Sequence, residues 1–140
     1  MASSPPPATM LYDQDCSLCS ATAAWLARHV PPSQLEVMAI ADASADPRIG
    51  PLVIDRPLTV TLHLVEPDDT ILTGARAVVA AGRLVPRWRL LARLFDHPPG
   101  RWLLEPAYRQ VAAHRRRIGR LLGLPASCPM PTAAERPASA

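Results

Sequence analysis

Met10-Leu-Tyr-Asp-Gln-Asp-Cys-Ser-Leu-Cys-Ser20 sets Cys16 and Cys19 three residues apart, where an apolar run gives way to an alanine-rich helical pattern. A strand that feeds a helix through Cys-x-x-Cys puts the first sulfur at the helix N-terminus. Unpaired N–H groups and the positive end of the helix dipole favour a thiolate there. The spacing brings the second sulfur to the same side of the first turn, within reach of a small disulfide ring. The chemistry expected is therefore redox: Cys16, the more exposed at the helix start, attacks a disulfide as thiolate. Cys19, one turn in, resolves the mixed disulfide.

Two acids precede the pair. Asp15 is placed to cap the helix, accepting a hydrogen bond from the first turn. Asp13, at the strand end, is a candidate acceptor of the second cysteine's proton during exchange. Both carboxylates push thiol pKa values up while the helix terminus pulls them down. Each effect is on the order of 1 kcal/mol, so the residues alone leave the net sign open. Tyr12 flanks the pair and is expected to shape access to it.

Asp13-x-x-Cys16-x-x-Cys19 after a short apolar strand resembles the signature of the DCC family of thiol-disulfide oxidoreductases. The segment Val65 to Ala77, with its acidic turn and Gly74, is similar to that family's hairpin, glycine and following helix. Tyr108-Arg-Gln-Val-Ala-Ala-His-Arg115 resembles its C-terminal helix, so the likeness runs over roughly residues 8 to 123. One departure is Gln14, where the family usually carries glycine, a residue that reaches positive φ more cheaply. The resemblance implies a thioredoxin-like α/β fold, a protein or small-molecule thiol or disulfide as substrate, and no metal or organic cofactor. Thioredoxin-like proteins also resemble one another in a cis-proline before the third strand, facing the dithiol and pairing with an extended substrate, and Arg56-Pro57 occupies that position. A proline opening a strand is commonly trans, so its isomer stays open.

At 140 residues with 49% apolar side chains, the chain is long enough for one domain with a real core. Aromatics make up 4%, so that core must be built from leucine, valine and alanine. All 15 basic residues are arginine, which excludes Schiff-base lysine chemistry and a P-loop. Three cysteines with one tight pair do not make a secreted disulfide scaffold. No signal peptide or spanning segment is legible, so a soluble cytoplasmic protein is expected; oligomeric state is not encoded in any pattern.

Residues 1–7 read as a disordered leader, residues 8–123 as the domain and residues 124–140, with Cys128, as a flexible tail. Within the domain, Ala8–Tyr12 reads as a strand and Cys16–Val30 as a helix stopped by Pro31-Pro32, with Trp25 in the core and His29 at the C-terminal dipole. Leu35–Ile40 reads as a parallel second strand, closing a right-handed βαβ unit. Pro47, Gly50 and Pro51 leave Ala41–Arg56 room for a turn or two of helix. Leu58–Val65 alternates as a half-buried strand, followed by a turn, a short return strand at Ile71–Thr73 and a helix over Ala75–Leu84. Two amphipathic helices follow, Arg87–Phe95 and a longer one starting near Glu105, with Pro106 in its first turn.

Other readings compete for the same residues. A non-enzymatic domain would use Cys16 and Cys19 to bind a partner or as a zinc knuckle, and the knuckle lacks a second Cys/His pair, with His114 the nearest recruit. Asp13-x-Asp15 resembles the first motif of haloacid-dehalogenase-type phosphatases, which also need a basic phosphate ligand and further acids; Asp68-Asp69 falls in a turn. Residues 1–70 carry nine acids and three arginines, residues 71–140 three acids and twelve arginines. Arg109, Arg115, Arg116, Arg117 and Arg120 suit a solvent-facing helix better than a nucleic-acid footprint, because no stacking aromatics accompany them. Trp88, Leu91, Leu94 and Phe95 suit weak peripheral membrane contact, with burial in the domain the preferred expectation.

Overall fold

Parallel pairing of the first two strands decides the architecture. The computed structural model describes residues 4–125, 130–131 and 136–138. Strand β1 (Ala8–Tyr12) lies parallel to β2 (Leu35–Ala39), Ala8 opposite Leu35 and Tyr12 opposite Ala39. Helix α1 (Ser17–His29) makes the crossover between them. Strand β3 (His63–Val65) runs antiparallel on the other side of β1, and β4 (Ile71–Thr73) is antiparallel to β3. The order β2-β1-β3-β4 is the expected thioredoxin-like mixed sheet.

Period-two alternation along β1 feeds two separate cores. Ala8 and Met10 face α1 and α4 (Gly74–Leu84), packing with Leu26, Val30, Leu35, Leu64 and Ala81. Leu11 faces the other way, with Val65, Ala43, Ile49 and Val53. Those last three come from α2 (Ile40–Ala43), α3 (Gly50–Val53) and the stretch between, so the shortened helical segment still covers its face of the sheet. Each fully buried Met or Leu contributes roughly 1.5–3 kcal/mol.

Two expectations need correction. The strand expected over Leu58–Val65 is confined to His63–Val65. Strand β1 ends as a pairing edge at Leu11, opposite His63, so the residues before His63 have no strand beside them. Their polar backbone groups are taken by side chains instead: the Leu62 N–H donates to the Tyr108 hydroxyl (2.7 Å) and the Thr59 carbonyl accepts from Arg115 (2.5 Å). The Arg56–Pro57 peptide, whose isomer the sequence leaves open, is trans, and the described residues contain no cis bond. The last helix, α6, spans Pro98–Leu121 rather than starting near Glu105. Pro98 and Pro99 sit in its first turn, where no N–H is needed, and Pro106 is accommodated mid-helix on an exposed side.

Trp25 is 39% exposed rather than buried in the core; it stacks on His29 (centroids 4.3 Å) and meets the edge of Trp88 (6.2 Å). Beyond α6, Met130 packs on the larger core, and Arg136 donates to the Ala27, Val30 and Leu35 carbonyls. Cys128 lies outside the described residues. No helix among the described residues is long and apolar enough to cross a membrane.

Candidate functional site

The C-terminal end of β1 delivers Asp13, and a tight turn then delivers Cys16 to the start of α1. Asp13 Oδ1 accepts the Asp15 N–H (3.0 Å), and the Cys16 N–H donates to the Asp13 carbonyl (3.2 Å). This turn leaves Asp15 exposed and one residue short of the cap, so the expected capping role passes to Cys16. Extended at φ −111°, Cys16 turns its sulfur back to accept the Cys19 N–H at 3.4 Å.

The two sulfurs are 2.9 Å apart, with the Cys19 thiol donating to Cys16 Sγ. Cys16 Sγ thus receives two donors and Cys19 keeps its proton. Burial is the largest cause of the Cys19 thiol's rise from 9.0 to about 12; the hydrogen bond to Cys16 comes next. Arg115 pulls the other way, its Nη1 3.8 Å from Cys19 Sγ. The exposure of the pair is the reverse of expectation. Cys16 is 0% exposed and Cys19 is half-buried. A sulfur folded back onto its own helix turn is shielded by that turn, while α6 packs against the neighbouring Ser17 and Leu18.

Gly119 makes the α6 approach possible. A Cβ there would collide with the Ser17 hydroxyl, so glycine lets α6 sit against the first turn of α1 without turning that hydroxyl aside. One turn earlier on α6, Arg115 then lands on the site. Its Nη2 donates to Asp13 Oδ2 at 3.1 Å and to the Thr59 carbonyl, an ion pair with both side chains largely removed from solvent. Both Asp13 oxygens are therefore engaged. Farther back, Tyr108 packs on Gly74, whose φ of +60° is open to glycine and strained for other residues, and its hydroxyl shares a proton with Thr61 Oγ1 (2.9 Å).

Beside Cys19 opens a cavity of about 90 Å³, lined by Tyr12, Leu18, Leu58, Val111 and Arg115. Tyr12 lines this cavity together with Cys19; burial and the Asp42 carboxylate raise its pKa. Pro57 is exposed, and its loop reaches the site through Leu58 and Thr59.

Among the described residues no cluster of three or more His, Cys, Asp or Glu side chains is placed to hold a metal. The phosphatase reading fails on topology. Asp68 and Asp69 lie in the β3–β4 turn, beyond the N-terminal end of β1, whereas Asp13 lies past its C-terminal end. Asp69 is bonded to Arg48, which also reaches the Pro7 carbonyl.

Sequence reasoning missed Arg115 as a site residue, grouping it with its solvent-facing neighbours. The available signal was its place seven residues after Tyr108 and one turn before Gly119, on the same helix face. A family model, DCC1-like thiol-disulfide oxidoreductase, matches residues 10–121. No curated protein and no solved structure matches the chain.

Proposed function

Because the chain belongs to the DCC1-like thiol-disulfide oxidoreductase family, we propose that it exchanges thiols for disulfides through Cys16 and Cys19. The observation that carries this reading is the 2.9 Å Sγ–Sγ contact, with the proton on Cys19 and both donors aimed at Cys16. Cys16 is the sulfur arranged to hold negative charge. It attacks one sulfur of a substrate disulfide; the other substrate sulfur leaves as thiolate and takes up a proton. Cys19 then loses its proton, and its thiolate attacks Cys16 Sγ, releasing the second substrate thiol. Two electrons pass to the substrate, and the protein is left with a Cys16–Cys19 disulfide.

Arg115 stabilises the Cys19 thiolate as it forms, and Asp13 holds the guanidinium in place. The Cys19 proton leaves toward the Asp13–Arg115 pair or to water in the adjoining cavity, while Asp15 lends its carboxylate to the rim. Tyr12 and the Pro57 loop border the substrate. Because Cys16 is fully buried, a local opening at the start of α1 is needed to admit a disulfide. The substrates are thiols and disulfides of proteins or small molecules; the reading includes residues 8–123 as the functional domain between a leader and a tail, in a reducing compartment such as the cytoplasm.

The half-buried position of Cys19 favours a second order of events, in which Cys19 attacks first. Trapping separates the two. With a chromogenic disulfide, Cys19→Ser should accumulate a stable mixed disulfide on Cys16, and Cys16→Ser should lose turnover. Accumulation only in Cys16→Ser reverses the order; no mixed disulfide in either variant overturns the exchange reading.

A further inference from the structure

Helix α5 (Arg89–Asp96) buries the wrong side of an amphipathic helix. Its one buried residue is Ala92, which sits over Gly82 of α4. At 100° per residue, Leu90 and Leu94 point about 160° away from Ala92. They are 78% and 64% exposed, and Leu91 beside them is exposed too. The start of α6 repeats the arrangement: Leu104 turns inward, while Trp102 and Leu103 are 76% and 72% exposed. Apolar side chains therefore occupy the solvent side of two consecutive helical segments, where polar residues are the norm.

The charge around them is one-sided. Residues 86–103 contain Arg87, Arg89, Arg93 and Arg101 against one acid, Asp96, which is already bonded to Arg83 and Arg101. A second copy of the chain docked by this face would bring the two sets of arginines together as water is stripped away, which disfavours it. A nucleic acid would satisfy the arginines and leave the leucines with nothing. An anionic phospholipid surface satisfies both: phosphates for the guanidinium groups, the headgroup boundary for tryptophan, and the outer acyl region for leucine.

We propose that α5 and the first turns of α6 form a peripheral docking face for anionic lipid bilayers, with Leu90, Leu94, Trp102 and Leu103 entering the interface and the neighbouring arginines holding the headgroups. The face lies on α5 and the N-terminal turns of α6, apart from the dithiol, and stands independently of the exchange reading.

Flotation of the full chain with vesicles tests it. Vesicles of mixed phosphatidylglycerol and phosphatidylcholine should carry the protein, and pure phosphatidylcholine vesicles should carry roughly tenfold less. Binding should fall with added salt, and tryptophan emission should shift to the blue. Leu90→Ser with Leu94→Ser should weaken binding roughly tenfold or more while leaving the circular dichroism and melting curve unchanged. Arg87→Gln with Arg93→Gln should lower binding and its salt dependence. Arg116→Gln with Arg117→Gln, on the exposed side of α6 beyond this face, should leave binding as it was. The proposal is overturned by absence of binding to anionic vesicles at low salt, by equal binding of the serine variant, or by an equal loss from the Arg116/Arg117 variant. Dimerisation in solution that the serine variant abolishes, without vesicle binding, would assign the face to a second copy instead.

Discussion

The two ends of α6 meet the rest of the molecule in opposite ways. Near its C-terminal end, a glycine lets the helix touch α1, and the arginine one turn earlier is sunk into a carboxylate, a carbonyl and a thiol. At its N-terminal end, tryptophan and leucine stand in solvent beside a helix that turns its leucines outward. The first region is a close fit in which both carboxylate oxygens of Asp13 have a partner; in the second, the outward leucines and Trp102 make almost no contact that a substitution could break. The contrast teaches that exposure and hydrophobicity have to be judged against what each face touches, since the same helix is arginine-in at one end and leucine-out at the other.

The contrast is broken most severely at Arg115. Arg115→Met leaves the buried Asp13 carboxylate without its cation, which should cost about 3 kcal/mol in urea unfolding. It should also slow release from the mixed disulfide, because the Cys19 thiol loses the guanidinium that lowers its pKa. Unfolding energies equal to wild type would show that the ion pair is loose in solution. Next comes Gly119→Val, whose side chain meets the Ser17 hydroxyl and pushes α6 off α1, at about 1–3 kcal/mol. Hydrogen exchange of the first turn of α1 should accelerate in that variant; unchanged protection would mean that α6 does not bear on the site.

A smaller effect is visible in alkaline solution. The Cys19 thiol is raised from 9.0 to about 12, so the folded state holds this proton after the unfolded chain has released it. The stabilisation is complete below about pH 9 and is lost as pH rises toward 12. The reduced protein should therefore lose stability across that window faster than Cys19→Ala does, and identical pH profiles would remove the raised thiol. Smallest of all is the opposite region. Leu90→Ser with Leu94→Ser should change folding stability by less than about 0.5 kcal/mol, as expected where no packing is lost. A larger loss would mean that those leucines are covered in solution.

These two regions also divide what could be read in advance. The βαβ unit was legible because each part has a local signature: an alternating apolar strand, an alanine-rich helix stopped by Pro31-Pro32, and a short loop to Leu35. The dithiol was legible for the same reason, since three-residue spacing at a helix start is a local fact. Arg115 was not, because its partner Asp13 is 102 residues away and only a shared helix face with Tyr108 and Gly119 separates it from Arg116 and Arg117. The strand expected from Leu58 failed in the same way: its alternation is real, yet pairing depends on where β1 ends, and Tyr108 and Arg115 supply its hydrogen bonds from α6. The shielding of Cys16 follows from the turn that makes it, and not Asp15, the cap; the order of two adjacent capping candidates is decided by that turn's geometry.

The proposed exchange requires Cys16 and Cys19 to form a reversible two-electron couple. Equilibrating the full chain in glutathione buffers of graded potential, quenching by alkylation and mapping the peptide that holds both cysteines measures it directly. A single two-electron transition, with the oxidised form linking Cys16 to Cys19 and the reduced form recovered on return, is the predicted result. Both thiols remaining alkylatable at every potential, or a disulfide confined to Cys128 between chains, would contradict it.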